Sequence, residues 1–464
     1  MIYNVTDTIV ALATAPGTSA IAVVRLSGMQ AFQIAEQIFK SRNNRSKDFS
    51  KFKSHTVHYG TLQANGRVID EVLVSIFKNP YSYTGQDIVE ISCHGSPYIV
   101  QQIINTCIKF GARLALAGEF TWRAFMAGKL DLAQAEAVAD VIAADSKSNH
   151  QIALQQLRGG FSSDIKKLRE SLIHFASLIE LELDFAEEDV TFASRQQLTQ
   201  LVSNMHQTID ALAQSFEIGN VMKHGIPVVI AGMPNVGKST LLNALLNEER
   251  AIVSEIAGTT RDTIEEQINI EGLNFRFTDT AGIRQTVDAI EALGVERTYQ
   301  KLKLSAVVIY MFDPKHVTPV EVLKTLDELK SKLPDVKVIL PVLNKTDTIP
   351  ESELVPFNQI AEISFISAKQ KWQIEKLIQL LLNKVQHVKV SLDSTIVVNV
   401  RHKEALDNTS QALQKVLHGI ETQISGDFLA SDIREALYHL GLITGEIATN
   451  DLLENIFSRF CIGK

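Results

Sequence analysis

The sequence has few cysteines and no long apolar run. Its 464 residues include three cysteines, Cys93, Cys107 and Cys461, an odd number without CxxC spacing. Neither a disulfide framework nor a zinc site of paired cysteines is therefore indicated. The longest apolar runs, such as residues 306–312, are far shorter than the roughly 18–20 residues that a transmembrane helix needs. We expect no helix of this chain to span a membrane.

The first residues also lack the features of a secretory signal. Residues 1–7 contain no positively charged stretch followed by an apolar core. Together with the low cysteine content, this predicts a cytoplasmic location. The composition, 45% hydrophobic and 21% charged, is typical of a globular protein, and the length predicts two to four domains.

The net charge of −8 is unevenly distributed along the chain. Residues 1–118 contain 11 basic and 7 acidic side chains, whereas residues 120–219 contain 8 basic and 14 acidic ones. Six basic side chains lie close together in the segment 40–53: Lys40, Arg42, Arg45, Lys47, Lys51 and Lys53. A solvated loop is the simpler interpretation of this segment, and a nucleic-acid contact is the alternative.

The hydrophobic pattern changes three times along the chain. Short β-rich runs alternate with turns and helical patterns in residues 1–118, which predicts an α/β domain. Apolar residues at three- and four-residue spacing then predict helices in residues 119–219 and again in 383–464, where one helical pattern covers 431–460. A second α/β alternation fills residues 220–382. We therefore expect a discontinuous helical domain with an α/β nucleotide-binding domain inserted into it, and with junctions near Gly219 and Gly225 and at residues 383–389.

The second α/β segment contains a phosphate-binding loop. GMPNVGKS at residues 232–239 matches GxxxxGK[ST], follows a strand pattern at 226–231 and precedes a helical pattern. In this motif backbone N–H groups surround the phosphates, Lys238 neutralises β- and γ-phosphate oxygens, and the Ser239 hydroxyl ligates Mg²⁺.

Four further motifs follow in the order of a GTPase. GTTRD at 258–262 supplies Thr260 as a second Mg²⁺ ligand, and DTAG at 279–282 places a carboxylate and a glycine near the metal and γ-phosphate. NKTD at 344–347 follows a strand pattern at 338–343, and SAK at 367–369 follows one at 364–366. The Asp347 carboxylate accepts from guanine N1–H and the N2 amine, which adenine lacks, so the motifs predict guanine recognition.

The hydrolytic step lacks a usual residue. Many small GTPases carry a water-orienting glutamine after the glycine of the second switch, but Ile283 occupies that position here. Glu291 is the candidate that orients the water in its place, and a solvated helix carboxylate is the simpler alternative.

These motifs and several others together resemble one family. The others are DTIVALATAPG at 7–17, SYTGQD at 82–87, GEFT at 118–121, KLDLAQAEA at 129–137 and the terminal FCIGK at 460–464. Over essentially its whole length the sequence is similar to the MnmE family, also called TrmE, of tRNA-modification GTPases. The resemblance implies an N-terminal α/β folate-binding and dimerisation domain, the discontinuous helical domain and an inserted Ras-like P-loop GTPase domain.

The resemblance also implies a reaction and partners. GTP hydrolysis would accompany aminomethyl or carboxymethylaminomethyl modification of carbon 5 of the wobble uridine, position 34, of tRNA. The one-carbon donor would be a tetrahydrofolate derivative, in the 5,10-methylene or 5-formyl form. Partners would be a second copy of the chain and an FAD-dependent, MnmG-like protein in a heterotetramer, with FAD held by that protein. K⁺-stimulated pairing of the GTPase domains would activate hydrolysis.

Site residues follow from the resemblance position by position. Glu291 becomes the catalytic, water-orienting acid; K⁺ would be held by Asn235, Ser254, Ile256 and Thr259; and the folate by Arg25, Glu90, Lys129 and Lys464. The implied GTP-binding set is Asn235, Val236, Gly237, Lys238, Ser239, Thr240, Ser254, Glu255, Ile256, Ala257, Gly258, Thr259, Thr260, Asp279, Thr280, Ala281, Gly282, Asn344, Lys345, Thr346, Asp347, Ser367, Ala368 and Lys369.

Two interpretations stay open at this point. Cys461 is implied to serve tRNA modification, and a small buried hydrophobic residue is its alternative. A ribosome-assembly or translation-associated GTPase switch is the alternative function; it would share the GTPase motifs but add a basic RNA-binding module, whereas the helical segment here is acidic. A freestanding folate-dependent aminomethyltransferase would leave the GTPase motifs unexplained.

Overall fold

The computed structural model describes most of the chain. The described residues are 5–41, 48–184, 195–246, 252–253, 265–279, 302, 305–333, 338–385 and 395–464. They divide into two units: Met1–Ile142, Gln155–His206 and Asn408–Lys464 form unit 1, and Ala143–Leu154 and Gln207–Asp407 form unit 2. Each boundary between the two units falls inside a helix, so the units differ from the predicted domains 1–118, 119–219, 220–382 and 383–464. The boundaries of those domains stay a prediction.

Unit 1 contains a seven-stranded sheet in the order β3-β4-β5-β6-β2-β1-β7. Neighbouring strands are antiparallel except for β1 and β7, which are parallel. The strands are β1 (Ile9–Leu12), β2 (Ser19–Ser27), β3 (Phe39–Ser41), β4 (Thr56–Ala64), β5 (Arg67–Phe77), β6 (Ile88–Gly95) and β7 (Arg113–Leu114). Alternate residues of β5, such as Val72, Val74 and Ile76, are buried, as expected for a sheet with one face on the core.

Helices α1 (Ala31–Ile38) and α2 (Pro97–Lys109) pack on the buried face of this sheet. Both are short amphipathic helices whose apolar residues, among them Ile34 and Ile103, enter the same core as the strands. The predicted α/β pattern of the N-terminal segment is therefore present.

The helical part of unit 1 begins at α3 (Glu119–Met126). It continues with α4 (Leu132–Ala143), α5 (Lys147–Leu157), α6 (Gly160–Asp184) and α7 (Arg195–His224), of which α4, α5 and α7 have residues in both units. The C-terminal helices are α12 (Val400–Glu421), α13 (Gly426–Thr444) and α14 (Asn450–Phe457). Arg169 of α6 donates to the Leu437 carbonyl of α13 at 2.7 Å, so residues more than 250 positions apart in sequence pack together.

Two details of the helical prediction were wrong. A single helical pattern over 431–460 is interrupted, because Gly445 adopts the left-handed conformation that ends α13. Gly219, expected at a junction, lies inside α7, where a Cβ atom would overlap the Val397 carbonyl. Close backbone packing within unit 2 therefore explains this glycine better than a linker does.

Unit 2 contains a second seven-stranded sheet in the order β14-β13-β12-β8-β11-β10-β9. The first five of these strands are parallel. Strand β10 is antiparallel to β11, and β9 is antiparallel to β10. The strands are β8 (Ile226–Gly232), β9 (Ile252–Val253), β10 (Glu265–Ile270), β11 (Leu273–Asp279), β12 (Val307–Phe312), β13 (Val338–Leu343) and β14 (Ser364–Phe365). The central strands are almost continuously buried, as in parallel sheets covered by helices on both faces.

The helices of the second sheet connect its parallel strands. They are α8 (Lys238–Leu246), α9 (Pro319–Lys332), the single turn α10 (Glu351–Leu354) and α11 (Ile374–Val385). Helix α9 begins with a capping box in which Thr318 and Glu321 satisfy each other's backbone N–H groups. The strand order reverses beside β8, which places the loop after β8 at the position where doubly wound sheets bind ligands. None of the described helices combines the length and hydropathy needed to cross a membrane.

Candidate guanine-nucleotide site

The phosphate loop lies between β8 and α8, as its sequence context predicts. Gly232 and Gly237 have φ angles of +143° and +102°, in the region that favours glycine. A Cβ atom at Gly232 would overlap the Met311 carbonyl, and one at Gly237 would overlap the side-chain amide of Asn344. The loop therefore needs glycine at both positions to approach its neighbours closely.

Lys238 begins α8 and lies against the phosphate loop. Its Nζ donates to the carbonyl oxygens of Gly232 and Met233, both at 3.0 Å. Ser239 and Thr240 follow on the exposed start of the helix. A helix N-terminus preceded by such a loop attracts anions through its backbone N–H groups, and the ammonium group adds a positive charge.

Asn344 joins three loops of this site. Its Nδ2 donates to the Val236 carbonyl in the phosphate loop at 2.8 Å, and its Oδ1 accepts from the Ala368 N–H at 2.9 Å. Asn344 is only 3% exposed, so both hydrogen bonds lie out of solvent. The structure therefore brings the predicted motifs at 232–239, 344–347 and 367–369 together at one edge of the sheet.

Thr346 and Ser367 brace the same edge. The Thr346 hydroxyl donates to the Ile366 carbonyl at 2.9 Å, and both side chains are buried. The Ser367 backbone exchanges hydrogen bonds with Trp372, which closes the loop containing Lys369. Asp347, in contrast, is exposed, as is required of a carboxylate that meets a purine edge.

Lys345 is held by two acceptors, of which one was not predicted. Its Nζ donates to the Asn235 carbonyl at 2.7 Å and to Asp313 Oδ2 at 2.8 Å. Burial raises the pKa of Asp313, but hydrogen bonds from Lys345 and from the Lys315 N–H lower it by more, so the carboxylate stays charged. The sequence signal for Asp313 is an acidic residue directly after the buried strand β12.

Part of the predicted site lies outside the described residues. Asp279 ends β11, beside Ile230 of β8, which leads into the phosphate loop. The predicted residues outside the described ranges are Ser254, Glu255, Ile256, Ala257, Gly258, Thr259, Thr260, Thr280, Ala281, Gly282 and Glu291.

A second cluster of predicted residues lies in unit 1. Arg25 of β2 and Glu90 of β6 are directly opposite in the sheet register, and Arg25 Nε donates to Glu90 Oε1 at 2.8 Å. Burial and the Arg25 charge lower the pKa of Lys464, and the Glu90 charge raises it in part, so the terminal lysine is within electrostatic range of this ion pair. The fourth residue, Lys129, is exposed, and its stem lies near Gly85.

The C-terminal segment reaches this cluster by packing on the sheet. Ile462 forms an antiparallel bridge with Ala117, and a Cβ atom at Gly463 would overlap the Leu12 carbonyl of β1.

The three cysteines differ in exposure. Cys461 is exposed, so its interpretation as a small buried hydrophobic residue was wrong. Cys93 and Cys107 are buried, and burial raises the pKa of their thiols to about 11 and about 12.

The fold and site of unit 2 define a class of protein. A doubly wound sheet carries a GxxxxGK[ST] loop after β8 and the NKxD and SAK loops after β13 and β14. Asn344 forms hydrogen bonds that connect all three loops. These are the features of Ras-like P-loop GTPases. The expected fold class, a multidomain α/β plus α chain with a GTPase domain, is confirmed.

Comparisons with known proteins identify the family within that class. The model described as "MnmE helical domain" matches residues 132–461, and that described as "GTP-binding protein TrmE N-terminus" matches residues 8–129. A relative from Cytophaga hutchinsonii, named tRNA modification GTPase MnmE, is 54% identical over 100% of this chain and 99% of its own length. Relatives of the same name from Flavobacterium johnsoniae and Bacteroides thetaiotaomicron are 54% and 47% identical, each over 99% of both chains.

The chain belongs to the MnmE family, as the sequence motifs predicted. It is therefore an enzyme that hydrolyses GTP, and it binds GTP with Mg²⁺ as GTPases do. The assignment of individual residues to these ligands stays a prediction.

Proposed function

We propose that the chain couples GTP hydrolysis to modification of carbon 5 of the wobble uridine in tRNA. The modification is of the aminomethyl or carboxymethylaminomethyl type, with a tetrahydrofolate derivative as one-carbon donor and an FAD-dependent, MnmG-like protein as partner. Membership of the MnmE family supports this proposal. So does the distribution of the predicted residues, because the guanine-site residues belong to unit 2 and the folate candidates to unit 1.

The observation that carries the proposal is the pair of buried hydrogen bonds made by Asn344. They fix the phosphate loop relative to the NKTD and SAK loops, so that a nucleotide meets all three in one arrangement. In this arrangement Lys238 neutralises the β- and γ-phosphates and Asp347 accepts from the N1–H and N2 groups of guanine. A site built to hydrogen-bond these groups of the base discriminates against a base that leaves the carboxylate unpaired.

Mg²⁺ fits the residues at the start of α8. The Ser239 hydroxyl is an oxygen ligand of the hard type that Mg²⁺ prefers, and it is exposed beside Lys238. Thr260 is the proposed second hydroxyl ligand, Asp279 lies near the metal, and Glu291 orients the attacking water. Mg²⁺ bound there supplies positive charge to the phosphate oxygens.

K⁺ fits Asn235. This residue has a left-handed φ of 60°, and its carbonyl is taken by Lys345. Within the described ranges no hydrogen bond engages its exposed side chain, which leaves the amide oxygen available to a cation. K⁺ at Asn235, Ser254, Ile256 and Thr259 supplies charge where other GTPases use an arginine.

A folate fits the Arg25, Glu90 and Lys464 cluster. Two cations and one carboxylate offer complementary charges to a ligand that carries both carboxylates and an aminopyrimidinone edge. Lys129 extends this site on its exposed side. Cys461 lies in the same C-terminal segment, three residues before Lys464, and takes part in the modification.

The proposed assembly is a homodimer that forms a heterotetramer with the MnmG-like protein, which holds FAD. Pairing of two GTPase domains, stimulated by K⁺, activates hydrolysis. The proposed location is the cytoplasm, where tRNA and reduced folates are found together.

Mass analysis of wobble nucleosides tests the proposal. Unmodified tRNA is incubated with this chain, the flavoprotein partner, GTP, K⁺ and methylene-tetrahydrofolate, and with a Glu291→Ala chain as the matched variant. We expect modified uridine with the wild-type chain and very little with the variant, which still binds GTP. Unmodified tRNA in every reaction, together with co-purification of the chain with ribosomal particles, would favour the ribosome-assembly alternative instead.

A further inference from the structure

The Arg25 side chain lies close to two aromatic rings. Its guanidinium carbon is 5.7 Å from the centroid of the Tyr83 ring and 5.6 Å from that of the Phe120 ring. Both distances are within the roughly 6 Å at which a cation is attracted to an aromatic face. Two ring contacts and the Glu90 carboxylate therefore restrict a side chain that has many rotamers in water.

The two rings are themselves fixed by one helix turn. Phe120 is fully buried near the start of α3, and the hydroxyl of the next residue, Thr121, lies 2.9 Å from the Tyr83 hydroxyl. Both rings therefore depend on the same turn of α3, which carries the GEFT motif. Neither the motif nor Tyr83 has a role in the GTPase site.

The loop that carries Tyr83 is also anchored on both sides of the ring. The hydroxyl of Thr84 lies 2.7 Å from that of Ser27. Gln86 Oε1 accepts from Ser27 at 3.1 Å and from Arg123 of α3 at 3.0 Å. SYTGQD and GEFT, two motifs that carry the family resemblance, are thus joined by side-chain hydrogen bonds around Arg25.

The arrangement leaves one edge of the guanidinium for a ligand. Hydrogen bonding in the described part of the chain engages only Nε of Arg25, through Glu90. The two terminal nitrogens can donate in parallel to a carboxylate or carbonyl oxygen, provided that the plane of the group is fixed. The two ring contacts and the Nε hydrogen bond to Glu90 restrict the orientation of the group.

We propose that Tyr83 and Phe120 are positioning residues whose rings hold the Arg25 guanidinium by direct contact and present its terminal N–H groups to an oxygen of the bound folate. This inference rests on the proposed folate site. It assigns to the two rings a role in ligand affinity and not only in packing.

Calorimetric titration of the full chain with 5-formyl-tetrahydrofolate tests the proposal. Tyr83→Leu removes one ring, and Tyr81→Leu, at a position 73% exposed and two residues away, is the matched control. We expect affinity about tenfold weaker for Tyr83→Leu, and within about twofold of wild type for the control and for Tyr83→Phe, which keeps the ring. Phe120 is not a suitable first target, because replacing a fully buried aromatic residue destabilises the fold.

A double-variant comparison separates positioning from packing. In an Arg25→Leu chain no guanidinium remains, so adding Tyr83→Leu should weaken folate binding no further, whereas loss of packing would weaken it equally in both backgrounds. Equal affinities for Tyr83→Leu and wild type, or an undiminished loss in the Arg25→Leu background, would overturn the inference while the folate site stands. Absence of binding by the wild-type chain would overturn the folate assignment and this inference with it.

Discussion

At the scale of single residues, the guanine site depends on side chains that touch the loops and not only on those that touch the nucleotide. Asn344 and Asp313 illustrate this difference. Asn344 belongs to a motif that the sequence identifies, and the structure adds its two loop contacts. Asp313 belongs to no motif, and only the folded chain places its carboxylate against Lys345.

Replacing Asn344 with Ala tests this loop bracing. The change leaves the Val236 carbonyl and Ala368 N–H without their buried partner, so we expect GDP affinity to fall by about ten- to a hundredfold. Fluorescence titration with a labelled GDP analogue measures the effect, and Asn358→Ala at an exposed position of the same unit is the control. An Asn344→Ala chain that binds GDP as tightly as the control would contradict the bracing role.

The residue scale also shows what a linear sequence leaves undetermined. Arg25, Glu90 and Lys464 each look like ordinary single charges in sequence, and only the strand register and the path of the C-terminal segment bring them together. Cys461 could be assigned as buried or exposed from sequence, because burial of a lone cysteine depends on packing that periodicity does not encode.

At the scale of secondary-structure elements, apolar runs predicted the parallel strands well. The predicted strand at 338–343 has the same bounds in the structure, and the strand at 226–231 extends by one residue. Both are almost wholly buried, which gives a continuous apolar signal that few other elements share. Helix ends were predicted less well where a glycine had two possible roles, as at Gly219 and Gly445.

Helix α3 carries two members of a charge network in unit 1, Glu119 and Arg123. Glu119 is fully buried and accepts from Arg113 and Arg123, which also donate to Asp7 near the start of the chain. Burial raises the pKa of Glu119, but hydrogen bonds from Arg113, the Leu116 N–H and Arg123 lower it by more, so it lies below the usual 4.5. The charged form therefore stabilises the fold.

This charge network predicts how stability changes with pH. A carboxylate with a lowered folded-state pKa stabilises the protein above its unfolded-state pKa, and this contribution is lost as the pH falls through the folded-state pKa. We expect Glu119→Gln to lower the free energy of unfolding by about 3 kcal/mol at pH 7, and this difference from wild type to shrink below about pH 4.

Urea unfolding at pH 7 and pH 3.5 measures the difference, with Glu353→Gln on the exposed turn α10 as the control. A Glu119→Gln difference that is the same at both pH values would show that the charge of Glu119 does not stabilise unit 1.

At the scale of the whole molecule, this member of the MnmE family carries a GTPase site in unit 2 and a proposed folate site in unit 1. The family motifs predicted this combination from sequence. Helices α4, α5, α7 and α12 each have residues in both units, and the predicted domain boundaries stay a prediction.

The cation requirement is a property of the whole assembly. If K⁺ bound at Asn235 supplies charge to paired GTPase domains, GTP hydrolysis should be at least about tenfold faster in KCl than in NaCl at equal ionic strength. Asn235→Ala should remove the difference, and Asn358→Ala should keep it. Equal wild-type rates in the two salts would exclude K⁺ from the mechanism.

We propose that this chain recognises guanine through Asp347, at the site that Asn344 braces. Calorimetric titration of the purified chain with GDP, ADP and xanthosine diphosphate tests it most directly, with Asp347→Asn as the variant. We predict binding of GDP but not ADP by the wild-type chain, and a shift toward xanthosine diphosphate in the variant, because an amide can donate where xanthine carries an oxygen. Equal affinity of the wild-type chain for GDP and ADP would contradict the account.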